Sequence, residues 1–86
     1  MSISKEDKAK IRGIIKTYLI LSNRECSFHE LKLFINEHNF GLRNSGGVSS
    51  QELGRIIGKV NVQHEGIFRD VVCQVDSRQR KYYSLE

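Results

Sequence analysis

The chain has 86 residues, with 14 Lys+Arg against 10 Asp+Glu and a formal net charge of +4 with its histidines neutral. That length allows one domain over 1–86 and leaves little room for a buried catalytic pocket. At 38% apolar and 28% charged residues, the composition excludes disorder, and no apolar run approaches the roughly 18 residues of a membrane span.

Three stretches open on the same helix-start device. Ser4-Lys5-Glu6-Asp7 resembles a capping box with Asp in place of Glu, while Ser27-Phe28-His29-Glu30 and Ser49-Ser50-Gln51-Glu52 are full S-x-x-E boxes. In each, the hydroxyl can accept from the third helical amide while the carboxylate reaches back to the cap amide. The first helix is predicted over 5–21. Ile11, Ile14, Ile15, Tyr18 and Leu21 form its buried stripe, and Lys8, Lys10, Arg12 and Lys16 its solvated face. A short strand is predicted near 24–26. A second helix over 28–38 carries Phe28, Leu31, Phe34, Ile35 and His38 at helical spacing. The Gly-, Asn- and Ser-rich stretch 39–48 reads as a loop. A third helix over 50–60 carries Leu53, Ile56, Ile57 and Val60.

After the third helix the period changes. Strands over 68–75 and 80–85 flank the polar break Asp76-Ser77-Arg78-Gln79 and make a hairpin. The sequence leaves the register of this hairpin open: a three-residue loop would put Val71, Cys73, Tyr83 and Leu85 on one face, but no glycine marks the left-handed position that such a loop needs. Two cysteines are too few for a disulfide framework. No apolar leader follows Met1, so two reduced thiols in an intracellular, cytoplasmic protein are expected.

Helix, short strand, helix, helix and hairpin is the chain order of the winged helix. Over nearly its whole length the sequence resembles that branch of the helix-turn-helix superfamily, in its small archaeal and bacterial form. Val48-Ser49-Ser50-Gln51-Glu52-Leu53-Gly54-Arg55-Ile56-Ile57 carries most of the resemblance, with a Ser cap, a Leu anchor and a Gly-Arg pair. The resemblance implies an α+β fold, a winged helix-turn-helix of three helices with a C-terminal β-hairpin wing. It also implies a transcriptional regulator whose partner is double-stranded DNA, with the wing (76–81) on the backbone or in the minor groove.

The residues support the same expectation. At 100° per residue, the face of the third helix opposite its apolar stripe presents Gln51, Arg55 and Gly58, flanked by Gly54 and Lys59. In a major groove Arg55 suits a guanine edge and Gln51 an adenine. Ser49, Ser50 and the helix N-terminus suit a phosphate. Arg78, Arg80 and Lys81 at the hairpin tip, and Arg43 and Asn44 in the long loop, suit the flanking backbone.

Blander readings stand beside these. The cations of the third helix also fit an ordinary solvated face, and Gly54 and Gly58 a packing seam for a partner protein. The alternative function is therefore a winged-helix protein-interaction module without DNA binding. The modest net charge favours it, as do Glu52, Glu65 and Asp70 near the proposed DNA face. RNA binding is weaker, because no exposed aromatic pair stands out. Leu33, Phe40 and Leu42 fall off the apolar pattern and serve either the core or a homodimer contact, which would favour a palindromic site.

Cys26-x-x-His29 has ligand-like spacing, but His64 and Cys73 do not complete a zinc site, and no metal, cofactor or small-molecule ligand is expected. Cys26 stands at the start of the second helix, where the positive dipole end would lower its pKa and make it a redox or intermolecular-disulfide candidate. Cys73 reads as strand core. No Gly-rich phosphate loop, paired-carboxylate motif or nucleophile elbow is present, so no catalysis is expected. Residues 1–47 hold 8 basic against 5 acidic side chains, and 48–86 hold 6 against 5. DNA binding is thus suggested by where a few cations stand and not by the net charge.

Overall fold

Serine hydroxyls open the helices in the computed structural model, which describes residues 4–38, 47–60 and 66–86. Ser4 accepts from the Asp7 N–H at 3.1 Å and starts α1 (Lys5–Ser22). Asn23 closes that helix in the left-handed conformation (φ 50°), its N–H bonded to the Leu19 carbonyl. The chain then forms β1 (Cys26–Ser27), and Ser27 Oγ accepts from the Glu30 N–H at 3.0 Å to start α2 (Phe28–His38). Ser49 and Glu52 form a complete capping box at the head of α3 (Ser50–Ile57). Strands β2 (Val71–Val75) and β3 (Lys81–Leu85) follow.

The result is an α+β fold. Among the described residues there are three α-helices and one three-stranded antiparallel sheet in the order β1-β3-β2. Cys26 stands opposite Tyr83 on one side of β3, and Cys73 stands opposite Tyr83 on the other. Val71 pairs with Leu85, so Val71, Cys73, Tyr83 and Leu85 share the face turned to the core. The loop has three residues, which settles the register that the sequence leaves open. The Gln79 N–H bonds the Asp76 carbonyl and the Asp76 N–H bonds the Arg80 carbonyl, both at 3.0 Å. Gln79 itself takes the left-handed position at φ 65°.

Ile11, Ile15 and Leu19 of α1 meet Leu31 and Ile35 of α2, Leu53, Ile56 and Ile57 of α3, and Phe68, Val71 and Tyr83 from the sheet region. Each such side chain contributes about 1.5–3 kcal/mol relative to an exposed one. Leu21 is a correction: it is 79% exposed, and Leu19 takes its place in the stripe. The buried positions of α1 are Asp7, Ile11, Ile15 and Leu19, an unbroken i, i+4 series. Leu21 is two residues and about 200° away from it.

Three boundaries also differ from the sequence reading. Helix α3 ends at Ile57 rather than at 60, because Gly58 takes φ 68° with ψ −158° and its N–H returns to the Gly54 carbonyl. Val60 is nonetheless buried as expected. Strand β2 begins at 71 rather than 68, because 66–70 turn: the Val71 N–H bonds the Phe68 carbonyl, and Phe68 drops into the core. Strand β1 lies at 26–27 rather than 24–26, since only Cys26 and Ser27 come alongside β3. Arg43, Asn44, Phe40, Leu42, His64, Glu65 and the His38 side chain lie outside the described residues. No helix of the described residues is long and apolar enough to cross a membrane.

Candidate nucleic-acid interface

Helix α3 buries Leu53, Ile56 and Ile57 and leaves Ser50, Gln51 and Arg55 exposed, the division its spacing predicts. Its N-terminus carries the complete capping box that the sequence predicts. Ser49 Oγ accepts from the Glu52 N–H at 3.2 Å, and Glu52 Oε1 accepts from the Ser49 O–H at 3.1 Å and the Ser49 N–H at 3.4 Å. A carboxylate therefore already occupies the place where an anion would sit. The Ser49 hydroxyl is thus engaged in the cap, in the role its S-x-x-E spacing predicts. Ser50 accepts instead from Lys32 Nζ at 3.0 Å, so α2 brings a cation over the start of α3. Sequence reasoning missed Lys32, because nothing local links residues 32 and 50.

Beside this end of α3 runs a groove of about 760 Å³. Ser50 and Gly54 of α3 line one wall, Gln79, Arg80, Lys81 and Tyr82 of the hairpin the other, and Ser27, Phe28 and His29 the end where α2 begins. Hydrogen bonds brace the tip of the hairpin. The Asp76 carboxylate accepts the Arg78 and Arg80 N–H groups at 2.8 and 2.9 Å and the Tyr82 O–H at 3.3 Å. These bonds, the Arg80 N–H foremost, hold the Asp76 carboxyl below its usual range. The one acid at the tip is thus engaged with the backbone. The Arg78, Arg80 and Lys81 side chains are exposed and make no hydrogen bond or ion pair among the described residues.

Arg55 faces elsewhere. It lines a second cleft, of about 480 Å³, with Arg12, Gly58 and Ile67. Arg12 Nε donates to the Ile56 carbonyl at 3.1 Å, and Lys16 donates to the Ile67 carbonyl at 3.0 Å and pairs with Asp70. These two residues are therefore not simply part of a solvated face: they tie α1 to the end of α3 and to the turn after it. Lys16 also holds the Asp70 carboxyl below its usual range and accounts for one of the acids near the face. Lys59 is exposed but lies beyond Gly58, so it is a loop residue and not part of the helix.

The cysteine reading is corrected as well. Cys26 is fully buried, and burial pushes its thiol pKa up rather than down. Neither Cys26 nor Cys73 is in a disulfide. Arg24 pairs with Glu30, which also accepts from the Tyr18 O–H. Arg24 foremost holds the Glu30 carboxyl below its usual range. This network links α1 to α2 and does not point into either cleft. Among the described residues no three His, Cys, Asp or Glu side chains are grouped to hold a metal. No family model, curated protein or solved structure matches this chain.

Proposed function

We propose that this chain is a winged-helix protein that binds double-stranded DNA and acts as a transcriptional regulator, with α3 in the major groove and the hairpin as the wing. The observation that carries the reading is the groove in which Ser50 and Gly54 of α3 face Arg80 and Lys81 of the hairpin. A surface for duplex DNA needs cations that follow a backbone and a ridge that reaches base edges. Arg80, Lys81, Arg78 and Lys32 supply the first, and Gln51 and Arg55 the second. The element order and the β1-β3-β2 sheet support the winged-helix assignment.

Titration of labelled duplex by fluorescence anisotropy tests this. Replacing Arg80 and Lys81 by Ala lowers the slope of log affinity against log salt by about 0.9 for each phosphate left without its cation. Arg55→Ala costs about 1–3 kcal/mol of discrimination between cognate and altered sites. Absence of any salt-dependent duplex affinity overturns the reading in favour of a protein partner on the same face. The Glu52 carboxylate at the head of α3 suits such a partner.

A further inference from the structure

We infer that the duplex is gripped on both flanks of α3, with Arg12 of α1, beside the base-reading Arg55, holding a phosphodiester of the strand opposite the one beside the hairpin. This rests on the DNA reading above and adds to it a residue from outside the recognition helix and the wing.

Arg12 comes into reach through its bond to the Ile56 carbonyl, which joins residues 44 apart in the chain. A cation at that carbonyl also complements the negative end of α3. The bond uses one of the five guanidinium donors. The two Nη groups carry no hydrogen bond among the described residues, and neither does any nitrogen of the Arg55 guanidinium. Both side chains line the same cleft, and among the described residues no carboxylate lines it with them. A guanidinium already anchored at Nε loses less side-chain freedom when it binds a phosphate, for which its planar fork is well matched.

The placement of the two clefts identifies the ligand as a duplex. The first cleft lies on the Ser50–Gly54 flank of α3 and the second on the Arg55 flank. A helix seated in a major groove about 12 Å wide has a sugar-phosphate backbone along each side. Two clefts, one on each flank and each lined by two cations, match that pair of strands. A single strand would engage only one of them.

The test compares the salt dependence of mixed-sequence duplex binding for three variants, with the thermal stability of each recorded. Arg12→Ala lowers the slope by about 0.9, the value of one neutralised phosphate. Arg12→Lys retains most of it. Lys10→Ala removes the same charge from an exposed position elsewhere on α1 and leaves the slope unchanged. A measurement on the unaltered protein guards against Arg12→Ala failing to fold: duplexes with neutral methylphosphonates in one strand or the other should both bind more weakly. Sensitivity confined to one strand, or an Arg12→Ala slope equal to that of the unaltered protein, overturns the second grip and leaves the DNA reading standing. If no duplex binds the unaltered protein, both fall together.

Discussion

Asn36 holds both backbone groups of Val48: its Oδ1 accepts the Val48 N–H at 2.7 Å and its Nδ2 donates to the Val48 carbonyl at 3.1 Å. A side-chain amide thus imitates one rung of a β-ladder, joining α2 to the residue that leads into the Ser49 cap. Gly47 makes the approach feasible. It has φ +82°, and a Cβ there would stand 2.9 Å from Asn36 Oδ1. This clamp ties α2 to the residue just before the α3 cap.

Asn36→Ala should therefore destabilise the fold by about 1–2 kcal/mol, since it leaves the polar groups of buried Val48 without partners. Gly47→Ala should destabilise it as well, through strain and collision with the same amide. Because both changes break one clamp, urea unfolding should show the double variant losing less than the sum of the two. Strict additivity would contradict the shared origin.

Gly54 offers a sharper separation of folding from binding. A Cβ at Gly54 would meet nothing within 4 Å, and the same is true of Gly13 in α1. Either Gly→Ala change should stabilise its helix by about 0.5–1 kcal/mol. Only Gly54→Ala should also weaken duplex binding several-fold, because Gly54 lines the groove where a DNA backbone comes close. Thermal melts and anisotropy on the same samples check both halves. Equal affinity for the two variants would remove Gly54 from the interface.

Glu30 sets part of the acid response. Its folded-state pKa lies below the ordinary value of 4.5, chiefly because of Arg24. A depressed carboxylate stabilises the fold above its unfolded pKa, and that contribution fades as pH falls through the folded value. Half the Arg24 side chain is open to solvent, which keeps the effect modest. Glu30→Gln should flatten the loss of stability below pH 4.5 without abolishing it, since Asp70 and Asp76 are depressed too. Urea midpoints measured across that range decide. An acid limb unchanged by Glu30→Gln would contradict the assignment.

The two thiols should differ in reactivity. Cys26 is buried with its pKa raised, whereas Cys73 is half-buried on the sheet. Under native conditions iodoacetamide should modify Cys73 first and reach Cys26 only after unfolding. Faster alkylation of Cys26 would restore the reactive-thiol reading.

What the linear sequence disclosed follows the range of the interactions involved. Ser4, Ser27 and Ser49 act on amides three residues away, so the starts of all three helices were legible. Alternation around Asp76-Ser77-Arg78-Gln79 likewise placed the hairpin, while its register, and with it the core face, came only with the assembled sheet. The misreadings lie where distant residues compete for one group. Arg12 and Lys16 look solvated until Ile56 and Asp70 are brought to them, and Lys32 is anonymous until it meets Ser50. Glu52 was legible as the partner of Ser49 in the cap, whereas the bond from Lys32 to the neighbouring Ser50 was not. The Ser49–Ser50 pair thus divides into a capping residue and a groove residue, which only the assembled fold distinguishes.

Amide chemical-shift mapping during titration with duplex DNA, at two salt concentrations, tests the central claim most directly. Shifts should concentrate at Ser50, Gln51, Gly54 and Arg55 and at Gln79, Arg80 and Lys81, with affinity falling as salt rises. Shifts confined to exposed apolar positions such as Ile20, Leu21 and Leu33, or no salt-dependent binding at all, would contradict it.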